Sequence, residues 1–340
     1  MGKYVTELLS QKDGIEIYVT SRALHESDKK NIHYILGNAK ENAFLKKLLK
    51  EDWDAIIDFM VYTVNEFTNR IDDLLNATNQ YVFISSARVY AESGKPLTEI
   101  DDRLIDVCRD KVYLSTEEYA LFKAREEDIL FSKNRSNWTI LRPYITYDAN
   151  RLQLGAFEKE KWLFRVMCGK KVLFDKNMLY KKTSLTYGYD VAERIIALIG
   201  NKNALGEVYQ IASDEVHTWK EILDIYSKIL KKNGYILKVQ YIENIENKGL
   251  NIPKYQIIYD RNYDRIFDSK KINQVTGINE YTKIEIGLHK CILNFLKSPS
   301  FIWIDWKTEA IMDKITGDRH PLRKIRSRQD IMTYIKQRYL

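Results

Sequence analysis

The first 145 residues alternate short apolar runs with segments whose apolar positions recur at helical spacing. Ile15–Thr20, Asn31–Ile35, Ala55–Met60, Tyr81–Ser85 and Trp138–Leu141 are short, rich in β-branched and aromatic residues, and mostly apolar on both faces. Strands of a parallel sheet covered on both sides read this way. Between them, Val64–Ala77 places Phe67, Ile71, Leu74 and Leu75 on one stripe, at i, i+4, i+7 and i+8, and predicts a helix.

The rhythm then changes. A short strand is expected at Val172–Phe174, a helix at Val191–Ile199 and a returning strand at Glu207–Ile211. Thr218 with Glu221 three residues on forms a capping box, and from there the chain reads as mostly helical, with a loop around Pro253. The pattern predicts an α/β fold: a doubly wound, Rossmann-like parallel sheet with a smaller, mostly C-terminal substrate lobe. Residues 1–150 with about 184–212 would form the Rossmann-like domain. Residues 151–183 and 213–300 would form the lobe, and 301–340 a basic helical extension.

Such a sheet normally opens on a strand, a glycine-rich turn that cradles phosphate, and a helix. This chain opens directly on Gly2–Leu9, which reads as the helix. The lost strand would be central and buried, so the expectation is a truncated start rather than a protein that works without it.

The composition permits a full core: 340 residues, 40.2 kDa, 45% hydrophobic and 30% charged. No apolar run approaches the length of a membrane span and no signal peptide is evident. Cys108, Cys168 and Cys291 lie far apart, as do His25, His33, His217, His289 and His320. No disulfide framework or metal site is expected, and the composition reads as a cytoplasmic protein. The net charge of +7 is concentrated: residues 301–340 hold nine Lys/Arg against five Asp/Glu. A nucleic-acid groove would need a basic stripe across the fold, so a solvated surface with a basic tail is the reading preferred over a nucleic-acid partner.

Tyr119 and Lys123, at i and i+4, are the strongest chemical candidates. Ser115 and Glu118 offer a capping box for their helix. A neighbouring ammonium favours phenolate and makes a tyrosine a usable acid or base, although such a pair is also an ordinary surface feature. Ser86 ends a predicted central strand, where open α/β sheets place ligands, though a lone serine there serves as readily as a turn residue. Arg142-Pro143 ends the next strand. Phe301-Ile-Trp303-Ile-Asp-Trp306 reads as packing for the C-terminal lobe, with contact to a partner beside the basic segment as the alternative.

Five segments, in this order and spacing, resemble the extended short-chain dehydrogenase/reductase family of nucleotide-sugar epimerases and dehydratases. They are Phe83-Ile-Ser-Ser-Ala-Arg-Val-Tyr90, Tyr119-xxx-Lys123, Leu141-Arg-Pro143, Tyr187-Gly-Tyr-Asp190-Val-Ala192 and Gly206-Glu-Val-Tyr-Gln-Ile211. The resemblance runs from Gly2 to about Leu296. It implies NAD or NADP as cofactor and a nucleotide-sugar substrate. Tyr119 would be the acid/base, Lys123 would bind the nicotinamide ribose, and Ser86 would hold the reacting hydroxyl. It further implies cofactor contacts at Gly2, Arg142 and Pro143, an adenine pocket at Gly37-Asn38, and Arg261 as the grip on the substrate diphosphate, a residue that also reads as a surface charge. A homodimer through the helices at Val64–Ala77 and Glu117–Ser132, and a place in surface-polysaccharide precursor synthesis, follow in the same way.

Two departures narrow the expectation. The family's 4,6-dehydratases carry Asp-Glu after the serine or threonine, and this chain has Ala87-Arg88, which favours epimerisation or ketone reduction. Arg22 stands where NAD-binding relatives often carry an acid, a lean towards NADP. The alternative is a non-catalytic binding or regulatory protein on the same fold, RNA-binding included, to which the missing glycine turn and the basic tail give substance.

Overall fold

The computed structural model describes residues 1–339. Helix α1 (Gly2–Leu9) leads to strands β1 (Ile17–Ser21) and β2 (Ile32–Leu36), helix α2 (Asn42–Leu48) and strand β3 (Trp53–Asp58). Helices α3 (Val64–Thr68) and α4 (Ile71–Asn76) precede β4 (Thr78–Ile84), and α5 (Tyr119–Phe131) precedes β5 (Trp138–Pro143). Then follow α6 (Lys159–Met167), β6 (Lys171–Asp175), α7 (Gly188–Leu198), β7 (Glu207–Ile211), α8 (Trp219–Lys232) and β8 (Lys238–Ile242). Helices α9 (Lys270–Thr276), α10 (Ile284–Lys297), α11 (Trp306–Thr316) and α12 (Arg328–Tyr339) complete the chain.

The main sheet is parallel, in the order β7-β5-β4-β3. Successive residues of β4 face opposite sides, and each side is covered. Val82 and Ile84 pack with Val5 of α1 and Val191 and Ile195 of α7. Tyr81 and Phe83 pack with Phe67, Ile71 and Leu74 of α3 and α4 and with Leu130 of α5.

The sheet is in two pieces, against the expectation of one continuous buried sheet. β1 and β2 pair only with each other, in parallel. Between β1 and β3 the structure has side-chain contact, with Tyr18 and Trp53 edge to face at 5.1 Å, but no ladder. With one strand neighbour each and thin cover, β1 and β2 stay half-exposed, Tyr18 and Leu36 included.

The helix expected over Val64–Ala77 is two helices. Arg70, buried at the break, stacks on the Tyr62 ring at 4.3 Å and donates to Asn42 Oδ1 and the Lys40 carbonyl. That anchorage, with φ at −128°, interrupts the helix although the apolar stripe continues through it. Strand β8, in a stretch expected to be mostly helical, pairs in parallel with β6. The elements after β5 build a second core around Trp162, Phe174, Trp219, Tyr226 and Leu288.

Residues 301–339 are docked on this second core by buried charge. Asp313 binds Arg165 at 2.8 Å and Lys170 at 2.7 Å, and Glu309 binds the same pair at 2.9 and 2.6 Å. The Tyr334 hydroxyl of α12 donates to Asp313 at 2.6 Å, joining both terminal helices to α6. Two cations facing two carboxylates stay buried only while all four are present. Asp313→Ala is therefore expected to cost roughly 3–5 kcal/mol, read as a lower urea midpoint at constant m; an unchanged midpoint would show that the terminal helices are held by something else.

Candidate functional site

The C-terminal ends of β4 and β5 and the C-terminal half of α5 meet over one carboxylate. Glu127 Oε1 accepts from the Ser85 hydroxyl at 2.5 Å and from Arg142 Nε at 2.9 Å, and Oε2 accepts from the second Arg142 nitrogen at 2.7 Å. Arg103 adds a contact at 3.4 Å. The two-pronged arginine–carboxylate geometry fixes the helix against both strand ends. Arg142 is thus engaged by the protein, with a further hydrogen bond to the Glu99 carbonyl. Pro143 follows it at the strand end, half-buried.

Ser86, two residues past the end of β4, caps a 3-10 turn over residues 87–89 and accepts from the Arg88 amide at 3.2 Å. Its own O–H is left to donate elsewhere. Arg88 folds back so that its guanidinium pairs with Glu118 and stands 5.3 Å over the Tyr119 ring. One residue therefore links Ser86 to Tyr119. Glu118, not Ser115, caps α5, accepting from the Ala120 amide at 2.7 Å. Ser115 instead closes the preceding turn, its hydroxyl donating to the Val112 carbonyl.

Lys123 does not lie free beside Tyr119. It is buried, its ammonium 3.0 Å from Glu126 and 4.5 Å from the centre of the Phe83 ring. The charges touch without hydrogen-bond alignment, so Lys123 Nζ and both Glu126 oxygens remain unpartnered donors and acceptors. Burial raises the Glu126 carboxyl to about 7, against the pull of Lys123. Asp58, buried beneath and also raised by burial, accepts from the Tyr81 hydroxyl at 2.8 Å.

The remaining candidates are dispersed. Arg22 is exposed beyond the end of β1. Gly37 is required for packing: a Cβ there would lie 2.1 Å from the Phe44 ring. Asn38 is spent on a local turn with Lys40 and Glu41. Gly2 begins α1, with Phe59 at ordinary contact distance from the place of a Cβ. Arg261 is not a surface charge but fully buried, paired with Asp260 and donating to the Gly155 carbonyl at 3.1 Å. Beside it, through Gln153, opens a cleft of about 370 Å³ lined by Gln153, Glu158, Lys161, Asn251 and Gln256.

Sequence reasoning missed a tyrosine wall next to Arg88. Tyr113 stacks on Tyr259 at 4.3 Å and meets Tyr255 at 4.9 Å, and its hydroxyl reaches Glu118. Tyr255, Tyr259 and Tyr263 recur every four residues, a signal that was legible but reads equally as core. No group of residues among those described has the make-up of a metal site, and none of the described helices is long and apolar enough to cross a membrane.

The structure is similar to that of dTDP-glucose 4,6-dehydratase from Bacillus anthracis, solved with NAD (TM-score 0.65, 16% identity, 87% of this chain and 93% of that one). It is equally similar to a UDP-N-acetylglucosamine 4-epimerase from Methanobrevibacter ruminantium (0.66, 15%, 87% and 94%). A UDP-glucuronic acid 4-epimerase from Bacillus cereus, solved with NAD, matches likewise (0.64, 14%, 87% and 95%). The chain thus shares the overall fold of these structures. No family model matches the sequence. In sequence it is similar to the chloroplast stem-loop binding protein of 41 kDa b from Arabidopsis thaliana, 27% identical over 190 residues, 55% of this chain and 46% of that protein. The chain spans less than half the length of that relative.

Glu126 supplies a direct check on the site's burial. In 13C-carboxyl NMR one glutamate resonance, absent from Glu126→Gln, is expected to titrate near pH 7; a midpoint at the usual value near 4.5 would contradict the geometry.

Proposed function

We propose that the protein is an NAD(P)-dependent nucleotide-sugar epimerase or reductase. The observation that carries the reading is the pairing of Ser86 and Tyr119 through Arg88 at the C-terminal edge of the parallel sheet, where such folds place their chemistry. The nicotinamide end of a cofactor fits: Tyr119 is half-exposed there, and the buried Lys123 ammonium has donors unspent. No described residue is assigned to the diphosphate end.

A bound nicotinamide supplies the hydride acceptor and donor. Tyr119 takes the proton from the sugar hydroxyl as the carbon is oxidised and returns it on reduction. Ser86 donates its free O–H to the same sugar oxygen, and Arg88 holds both groups in register. Ala87-Arg88 provides no acid where dehydration needs one, so epimerisation or reduction is preferred. Arg22, exposed beyond β1, leans the cofactor towards NADP. The substrate diphosphate is assigned to the second core beside Arg261, and a homodimer to α3, α4 and α5. A cytoplasmic location agrees with three unpaired cysteines.

Two observations favour a second reading, a non-catalytic binding protein. Glu126 holds the lysine that the chemistry would use, and the curated relative is named for binding rather than for a reaction. Tyr119→Phe separates the two. Turnover of UDP- and dTDP-hexoses with NAD or NADP should fall by about 10²-fold or more while cofactor binding persists. Full activity in the variant would remove Tyr119 from the mechanism, and absence of any hydride exchange in the wild type would favour the second reading.

A further inference from the structure

Four of the five acids of the C-terminal extension are tied to its inner side, and the fifth, Asp330, is partly exposed beside Arg328. Glu309 and Asp313 are buried against Arg165 and Lys170. Asp305 caps α11 through Thr308, and Asp318 binds Arg165 and the Lys171 amide. The sequence count for this segment therefore includes carboxylates that cannot screen its surface. Lys307, Lys314 and Lys336 are exposed singly, whereas Arg319, Arg323, Lys324, Arg326 and Arg328 are five exposed cations within ten residues, none with a side-chain ion pair or hydrogen bond among the described residues.

This run is not a loose tail. His320 pins one end: its amide donates to the Tyr334 hydroxyl at 2.8 Å and its ring lies against Phe164 and Trp306. Ile325, 4% exposed, pins the middle by packing with Ala310 and Tyr334. With residues 320 and 325 turned in, the cations between and beside them are presented together, and their display costs little further ordering.

We propose that Arg319–Arg328 is a docking surface for the sugar-phosphate backbone of a nucleic acid. Four of the five cations are guanidinium groups, whose forks match phosphate oxygens, and several charges along one short run suit a ligand with regularly repeating charge. A lipid surface would call for an apolar stripe to insert; within the run Leu322 is a single exposed apolar side chain and Ile325 is buried. An acidic protein partner would need an apolar seat beside its carboxylates, and the run offers one leucine, Leu322. The surface holds whichever activity the Tyr119 site has, because the two share no residue.

The test is fluorescence anisotropy of the full chain with labelled 20-nucleotide single-stranded RNA and the same DNA sequence, at salt from about 50 to 200 mM. Binding to RNA, DNA or both is expected, with log K falling against log salt at a slope of about −3.5 if five phosphates are engaged. Arg323→Gln/Lys324→Gln/Arg326→Gln should weaken it at least tenfold and reduce the slope by about 2. Lys12→Gln/Lys50→Gln/Lys202→Gln, which removes the same charge from other exposed sites, should leave it unchanged. No binding at the lowest salt, an equal loss in both triple variants, or binding to phosphatidylserine vesicles or polyglutamate in place of nucleic acid would overturn the proposal.

Discussion

Everything at the site depends on one buried carboxylate. Glu127 is fully buried and would be costly as an isolated ion. It is tolerated because Arg142 meets it with two nitrogens, Ser85 gives it a short hydrogen bond and Arg103 lies at its edge. The requirement to satisfy that charge draws β4, β5 and α5 to one point. Ser86 is placed by being next to Ser85, Pro143 by being next to Arg142, and Tyr119 and Lys123 by lying two turns and one turn before Glu127. The catalytic candidates inherit their positions from a contact that none of them makes.

The same economy of charge recurs in the second core, where Arg165 and Lys170 face Glu309 and Asp313 and Tyr334 closes the group. Buried ion groups of this kind add little net stability compared with an apolar core, but they allow few alternative arrangements. One fixes the site, the other fixes the extension. In the second case the inward acids also decide what the outer surface presents, so packing and surface charge have a single cause.

How much of this was legible in the sequence follows from the range of each interaction. The strands Glu207–Ile211 and Trp138–Leu141 and the Thr218/Glu221 capping box are local patterns, and they stand in the structure within a residue or two. The split at Arg70 was not legible, because it depends on Tyr62 and Asn42 closing on a side chain from outside the helix. Ser115 and Glu118 show a local rule with two solutions, of which tertiary contact with Arg88 selected the second. For Lys123 the i, i−4 partner Tyr119 and the i, i+3 partner Glu126 are both in reach of spacing arguments, and burial chose the acid. Arg261, readable as a surface charge, is buried with Asp260, its neighbour in sequence. The split sheet follows from strand neighbours, which no local pattern reports.

The account is tested most directly by a double-mutant cycle on the clamp, with Glu127→Gln, Arg142→Met and the pair compared in urea unfolding. If this contact organises the site, the two changes are strongly coupled, by about 2–3 kcal/mol, and the double variant is less damaged than the sum of the singles. Losses that add to within about 0.5 kcal/mol would show that the strand ends and the helix are held together by other means.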